Sequence, residues 1–130
     1  MNRIRSIINR ILLRIDLIIR APWCLSNPIE VQLEPTNKCN LNCTMCLRSI
    51  YKRQMMDMNF EDFKYIIDKF KYVKSITLHG WGEPLLNQDL FRMVDYAHHK
   101  GIITVFATNG SLLSPNISLK LLNSNLDIIV

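Results

Sequence analysis

The alternation of strand-like and helix-like segments is the feature that most constrains the fold of this chain. After residue 28, four short apolar segments are predicted to be strands, and segments with apolar residues at helical spacing separate them. The predicted strands cover residues 29–34, 73–78, 102–107 and 126–130. Repeated strand–helix–strand units form right-handed crossovers between parallel strands, with the helices outside the sheet. The sequence therefore predicts an α/β fold, with a sheet that is either open or part of a barrel.

Local start and stop signals place three helices between these strands. Asn59 is a predicted N-cap, with an acidic residue three positions later. Asn87 is predicted to open the second helix, which ends at Gly101. Ser114 followed by Pro115 is typical of the start of a third helix, because proline is well tolerated at the first helical position.

The chain ends within an apolar run at residues 126–130. Such a run predicts a buried parallel strand, and complete proteins usually cover a strand of this kind at the edge of a sheet. We therefore expect residues 29–130 to be the N-terminal portion of a longer domain, truncated in the fourth strand after about three and a half strand–helix units.

Charge is concentrated in the first 20 residues. The chain has 16 basic and 11 acidic residues, but residues 1–20 alone contain five arginines and one aspartate. The rest of the chain is nearly neutral, so its net charge gives no support for nucleic-acid binding. We expect no nucleic-acid partner.

Residues 1–21 are predicted to form a basic amphipathic helix. Eight apolar residues fall on one face, namely Ile4, Ile7, Ile8, Ile11, Leu12, Ile15, Ile18 and Ile19. Charged residues interrupt this run, which excludes an export signal or a membrane span, so we expect a cytoplasmic protein. Such a helix packs on its own domain or on a partner chain, or residues 1–20 make a peripheral contact with an anionic membrane.

Three cysteines occur within eight residues in the long loop that follows the first predicted strand. They are Cys39, Cys43 and Cys46. Without an export signal, this spacing favours metal ligation over disulfides, because cytosolic thiols stay reduced. Asn40 and Asn42 disfavour a helix here, and thus disfavour the alternative of three buried structural thiols on one helical face.

Two kinds of metal centre are compatible with a cysteine triplet. A structural zinc takes four protein ligands, and the nearby choices for a fourth, Cys24, His79, His98 and His99, do not pair with the triplet by spacing. An iron–sulfur cluster held by three thiolates leaves one iron open to a substrate or cofactor. The triplet therefore favours an iron–sulfur cluster. A zinc-binding interaction module and a non-catalytic membrane- or protein-docking partner remain the alternatives.

These cysteines and two further motifs resemble the radical S-adenosylmethionine (SAM) enzymes. Cys39-x3-Cys43-x2-Cys46, directly after a strand, is similar to the signature of that superfamily. Gly80-Trp81-Gly82-Glu83-Pro84, after the second strand, resembles its glycine–glutamate–proline motif. Thr108-Asn109-Gly110, after the third strand, also resembles the family. The resemblance covers about residues 29–130 and leaves the N-terminal helix outside.

The resemblance implies a fold, two cofactors and a set of site residues. The fold would be a partial (β/α) barrel of the radical SAM type. Cys39, Cys43 and Cys46 would ligate three irons of a 4Fe-4S cluster, and SAM would chelate the fourth iron. The residues implied for SAM binding are Met45, Gly82, Glu83, Pro84 and Asn109.

Each of these SAM-binding assignments has a local physical reason. Met45 would pack near the adenine. Gly82 and Glu83 would bind the SAM ammonium, because glycine lets the backbone approach closely and a carboxylate supplies a charge-assisted hydrogen bond. Pro84 would stiffen the turn. Asn109 would line the site, or it would serve only a tight turn.

The activity implied by the resemblance is reductive cleavage of SAM. The products would be methionine and a 5′-deoxyadenosyl radical that abstracts hydrogen from a small-molecule or peptide substrate. A flavodoxin- or ferredoxin-type reductant is the implied partner. The context of the second motif resembles members with a C-terminal SPASM-type auxiliary-cluster extension. A chain with only part of the barrel is expected to be inactive by itself.

Overall fold

Four parallel strands form one sheet in the computed structural model of the chain, which describes residues 3–51 and 53–130. The strands are β1 Glu30–Leu33, β2 Ser75–Leu78, β3 Ile103–Phe106 and β4 Ile128–Ile129. Their order in the sheet is β1-β2-β3-β4, and every neighbouring pair is parallel. This confirms the predicted α/β fold. Strands added in chain order at one edge are typical of a (β/α) barrel, whereas the order reverses in a doubly wound sheet.

Four α-helices accompany the sheet in the described part of the chain. They are α1 Arg3–Ile19, α2 Phe60–Lys69, α3 Leu90–His99 and α4 Pro115–Leu122. Helices α2, α3 and α4 each connect successive strands, which gives three strand–helix units and a fourth strand. The predicted caps of α2 and α4 are confirmed, because the side chains of Asn59 and Ser114 each accept a hydrogen bond from a backbone N–H three residues later. Gly101 follows α3 with a φ of 68°, as its predicted role requires.

The prediction that Asn87 opens α3 is wrong. Asn87 follows a single 3-10 turn, Pro84–Leu86, and Asp89 is the N-cap of α3. The Asn87 amide group is buried and donates to the carbonyl oxygens of Pro35 at 2.6 Å and Met58 at 2.9 Å. A buried amide needs partners for all its polar atoms, so this side chain joins two loops.

The hydrophobic core lies between the sheet and helices α2 and α3. Its buried residues from these elements are Phe63, Ile67, Ile76, Leu78, Leu90, Met93, Val94, Ala97 and Phe106. In β2, burial alternates along the strand, with Ile76 and Leu78 facing the core. A shift of one residue would turn both side chains away, so their burial fixes the register of β2 against its neighbours. That register determines where the loop after β2 begins.

Helix α1 shows its apolar face to solvent. Ile7 is 58% exposed, Ile11 is 53% exposed and Ile18 is 81% exposed. Among the described residues nothing covers these three side chains, so the option that this face packs on the domain stays a prediction. No helix among the described residues is both long enough and apolar enough to cross a bilayer.

Candidate functional site

The loops after β1, β2 and β3 meet at one edge of the sheet. Because the three strands are parallel and in register, their carboxyl ends lie side by side. The first loop carries the three cysteines, the second carries Gly80 to Pro84 and the third carries Thr108 to Gly110. Parallel α/β folds place their binding sites at this edge. The structure therefore brings the three predicted motifs together.

The loop after β2 lies directly against the loop after β1. The backbone N–H of Glu83 donates to the carbonyl oxygen of Lys38 at 2.8 Å. A Cβ placed on Gly82 would lie 2.0 Å from the carbonyl oxygen of Thr36 and 2.8 Å from that of Lys38. Only glycine fits where two backbones approach so closely. Gly82 thus sets the distance between the two loops.

The carboxylate of Glu83 connects the loop after β2 to the loop after β3. Its Oε1 accepts hydrogen bonds from the Thr108 hydroxyl at 2.8 Å and from the Leu85 backbone N–H at 3.1 Å. Its Oε2 accepts from the Asn109 backbone N–H at 2.8 Å. Glu83 is only 1% exposed. A carboxylate accepts about four hydrogen bonds, and the described residues supply three of them to Glu83.

The loop after β3 in turn contacts the cysteine loop through Asn109. The Asn109 side-chain amide donates to Oδ1 of Asn40 at 3.0 Å and lies 3.8 Å from Sγ of Cys39. Its Oδ1 accepts from the backbone N–H and the hydroxyl of Ser111. The Leu41 N–H also lies 3.5 Å from the Cys39 sulfur. Two N–H donors thus point at the sulfur of the first cysteine.

The three cysteine thiols lie on one loop. All are free; Cys43 is exposed, and Cys39 and Cys46 are half-buried. The Cys46 backbone N–H donates to the Cys43 carbonyl oxygen at 3.1 Å, which closes the turn between these two residues. Across residues 3–51 and 53–130, no three His, Cys, Asp or Glu side chains are already gathered as a ligand set for a metal ion.

The donor chemistry of this turn nevertheless fits an iron–sulfur cluster. Thiolate sulfur is the usual ligand of such clusters, and N–H donors to the sulfur tune them. Ligand loops take up their final geometry when the metal binds, because ligation is coupled to folding. Cys39, Cys43 and Cys46 are close in sequence and share one loop, as this requires.

Two other residues predicted to bind the cofactor differ in their surroundings. Met45 lies at the turn between the second and third cysteines and is 89% exposed. Pro84 is buried and begins the 3-10 turn that follows Glu83. Pro84 thus shapes the loop, whereas Met45 has a thioether available on the surface.

Sequence reasoning missed Glu34, which stiffens the same edge. Its Oε1 accepts from the Trp81 backbone N–H at 2.8 Å, and its Oε2 accepts from the Arg53 guanidinium at 2.8 Å. The Tyr51 ring stacks on Trp81 with ring centroids 5.5 Å apart. The only sequence signal was the position of Glu34 at the end of a strand; its partners lie 19 and 47 residues away. The sequence analysis named Thr108 and Asn40 but did not predict their contacts with Glu83 and Asn109, for the same reason.

The family described as the radical SAM superfamily matches residues 33–130. This match covers most of the chain and includes all three motifs at the edge of the sheet. The chain belongs to the radical SAM superfamily. Membership gives its cofactors, a 4Fe-4S cluster and S-adenosylmethionine, and places it in an enzyme family that carries out SAM-dependent radical chemistry.

Two curated relatives illustrate this membership. The chain is 36% identical over 104 residues to mycofactocin maturase MftC of Mycolicibacterium smegmatis. The aligned region covers 78% of this chain and 26% of that protein. It is 35% identical over 96 residues to the AdoMet-dependent heme synthase of Methanosarcina barkeri. That aligned region covers 72% of this chain and 28% of that protein. The chain thus spans about a quarter of the length of these relatives.

A solved structure supports the fold. The chain matches BtrN, solved in complex with AdoMet and 2-DOIA, with a TM-score of 0.68 and 22% sequence identity. The match covers 78% of this chain and 44% of that chain. The prediction of a partial (β/α) barrel of the radical SAM type is confirmed.

Proposed function

We propose that Cys39, Cys43 and Cys46 bind the 4Fe-4S cluster, and that the protein uses it to cleave SAM for hydrogen abstraction from a substrate. The observation that carries this proposal is the meeting of the cysteine loop with the loops after β2 and β3 at one edge of the sheet. When bound, the cluster and SAM supply one-electron cleavage to methionine and a 5′-deoxyadenosyl radical.

The residues around the cysteines then hold SAM. Gly82 and Glu83 bind its ammonium group, which takes the accepting position of the Glu83 carboxylate that no described residue fills. Pro84 fixes the turn after Glu83. Asn109 positions the cysteine loop through Asn40, and Met45 packs against the adenine.

The substrate class we propose is a small molecule or a peptide. The names of the relatives support this range of substrates, since one is called a maturase and another a heme synthase. A flavodoxin- or ferredoxin-type protein supplies the electron, because the cluster must be reduced before each cleavage. We place this chemistry in the cytoplasm, with residues 1–20 as a peripheral membrane contact.

The ligand assignment is tested by iron content. After anaerobic reconstitution with iron and sulfide, the wild-type protein should hold about four irons per chain, and Cys43→Ser should hold clearly fewer. The matched control is Cys24→Ser, because Cys24 is also an exposed free thiol but lies outside the cysteine loop. The Cys24 variant should keep the full iron content.

Two results would contradict this assignment. One is unchanged iron and sulfide in Cys43→Ser. The other is one zinc and no sulfide in wild-type protein purified without oxygen, which would indicate a zinc-binding module.

A further inference from the structure

The polar face of helix α1 is fixed to the segment that follows the helix. Asn9 is 3% exposed; its Nδ2 donates to the Asn27 carbonyl oxygen at 3.0 Å, and its Oδ1 accepts from the Asn27 N–H at 2.8 Å. Asp16 accepts from the backbone N–H groups of Leu25 and Ser26 and from the Ser26 hydroxyl, all at 2.9 Å or less. We call these five hydrogen bonds the polar clasp.

The polar clasp turns the apolar side of α1 outward. We call this side the isoleucine face; it consists of Ile7, Ile8, Ile11, Ile18 and Ile19. These residues are between 49% and 81% exposed. Soluble proteins rarely show a continuous apolar face of this kind unless it binds something. Because the clasp uses the opposite side of the helix, the isoleucine face points away from residues 25–27.

Arginines border the isoleucine face. At about 3.6 residues per turn, Arg10 and Arg14 lie along one border and Arg5 lies along the other. All three are exposed. The single acidic residue among residues 1–20, Asp16, is engaged in the polar clasp. The outward side of the helix therefore combines an apolar centre with positively charged borders.

We propose that α1 docks on an anionic lipid surface. The isoleucine face would enter the boundary between headgroups and acyl chains, while the arginines reach the lipid phosphates on both sides. Positive charge on both borders suits a plane of phosphates, which meets the helix equally on its two sides. Trp23, 67% exposed just after the helix, adds a ring of the kind enriched at membrane interfaces. This inference rests on the peripheral membrane contact proposed above for residues 1–20 and specifies its chemistry, but it uses no residue of the cofactor site.

Vesicle flotation of the full chain tests the charge requirement. Without SAM, the protein should float with vesicles of phosphatidylglycerol and phosphatidylcholine in equal amounts. It should not float with vesicles of phosphatidylcholine alone. Binding should weaken as salt is added. The double variant Arg10→Gln/Arg14→Gln should bind about tenfold less or weaker still. The control Lys64→Gln/Lys71→Gln removes the same charge from exposed positions outside α1 and should bind like wild type.

A second pair of variants tests the apolar requirement. Ile7→Ser/Ile11→Ser should abolish flotation, while Leu119→Ser/Leu122→Ser on exposed positions of α4 should leave it unchanged. Circular dichroism of Ile7→Ser/Ile11→Ser checks that its helix content is unchanged. The variant Arg10→Gln/Arg14→Gln leaves every residue of the isoleucine face in place.

Three outcomes would overturn the proposal. They are equal binding to neutral vesicles, equal weakening by both charge variants, and self-association of the chain through Ile7 and Ile11 without vesicle binding. The last outcome would assign the face to a second copy of the chain. None of these outcomes depends on the iron content of the protein. A failure of the lipid-docking proposal can therefore be distinguished from a failure of the cluster assignment.

Discussion

At the residue scale, the Glu83 carboxylate has both a structural and a proposed ligand-binding role. Both of its oxygens accept from donors, so Glu83→Gln would place an NH2 group against an N–H or a hydroxyl. We expect this change to lower the free energy of unfolding by about 1–3 kcal/mol, because a buried polar group loses its partner. Urea unfolding of the cluster-free protein measures it.

The matched control for this prediction is Glu61→Gln. Glu61 is exposed in the first turn of α2, so its loss should change stability by at most about 0.5 kcal/mol. Equal stability of wild type and Glu83→Gln would show that the three hydrogen bonds are unimportant. If Glu83→Gln unfolds earlier but binds SAM with unchanged affinity, Glu83 does not bind the ammonium.

Sequence reasoning at this scale named the candidate site residues but not the contacts among them. The cysteine spacing and the Gly82-Glu83-Pro84 run are local signals that can be read directly. The contact between Asn109 and Asn40 joins residues 69 positions apart, and only the fold shows it. The prediction for Asn109 left a site role and a simple turn open, and the structure gives it contacts to the cysteine loop as well as to its own turn.

At the scale of elements, the start of the cysteine loop is held by Asp57. Its carboxylate accepts from the Lys38 ammonium at 2.6 Å and from the Thr36 hydroxyl at 2.6 Å. The hydrogen bond from Lys38, and then that from Thr36, hold the pKa of Asp57 below its ordinary value. This contribution to stability is complete above the ordinary pKa of an aspartate, and it disappears as the pH falls through the lowered pKa.

We therefore expect the free energy of unfolding of Asp57→Asn to depend less on pH in the acidic range than that of the wild type. The variant should be less stable than wild type at neutral pH, and the difference should vanish at strongly acidic pH. Urea unfolding at a series of pH values measures this, with Glu61→Gln as the exposed control. A difference that persists below the lowered pKa would show that Asp57 acts through packing instead of charge. The effect is modest, because the Lys38 and Asp57 side chains are 43% and 39% exposed.

Helices were predictable where their signals are local. The caps of α2 and α4 need only a side chain and an N–H three residues away, so the sequence identifies Asn59 and Ser114. Helical periodicity also identified the apolar side of α1. It could not tell which side faces the segment after the helix, because the polar clasp depends on Asn27, 18 residues from its partner Asn9.

At the scale of the whole molecule, strand order and cofactor binding are linked. Adding strands in chain order places every strand–helix loop of the described sheet at the same edge, so a ligand there contacts several loops at once. A ligand that binds only the folded state raises its stability. We expect SAM to raise the melting temperature of the reconstituted protein, but to leave the cluster-free protein and Cys43→Ser nearly unchanged. Thermal unfolding under anaerobic conditions measures all three, and an equal shift in the cluster-free protein would show that SAM binds without the cluster.

The close approach at Gly82 has a consequence for how mutational data on this protein should be interpreted. A saturation-mutagenesis screen would score almost every replacement at this position as damaging, since any side chain would strike the carbonyl oxygens of Thr36 and Lys38. That intolerance would arise with no small molecule present. Sensitivity at position 82 therefore measures the fit between two stretches of main chain, and it is not a map of which atoms a ligand touches.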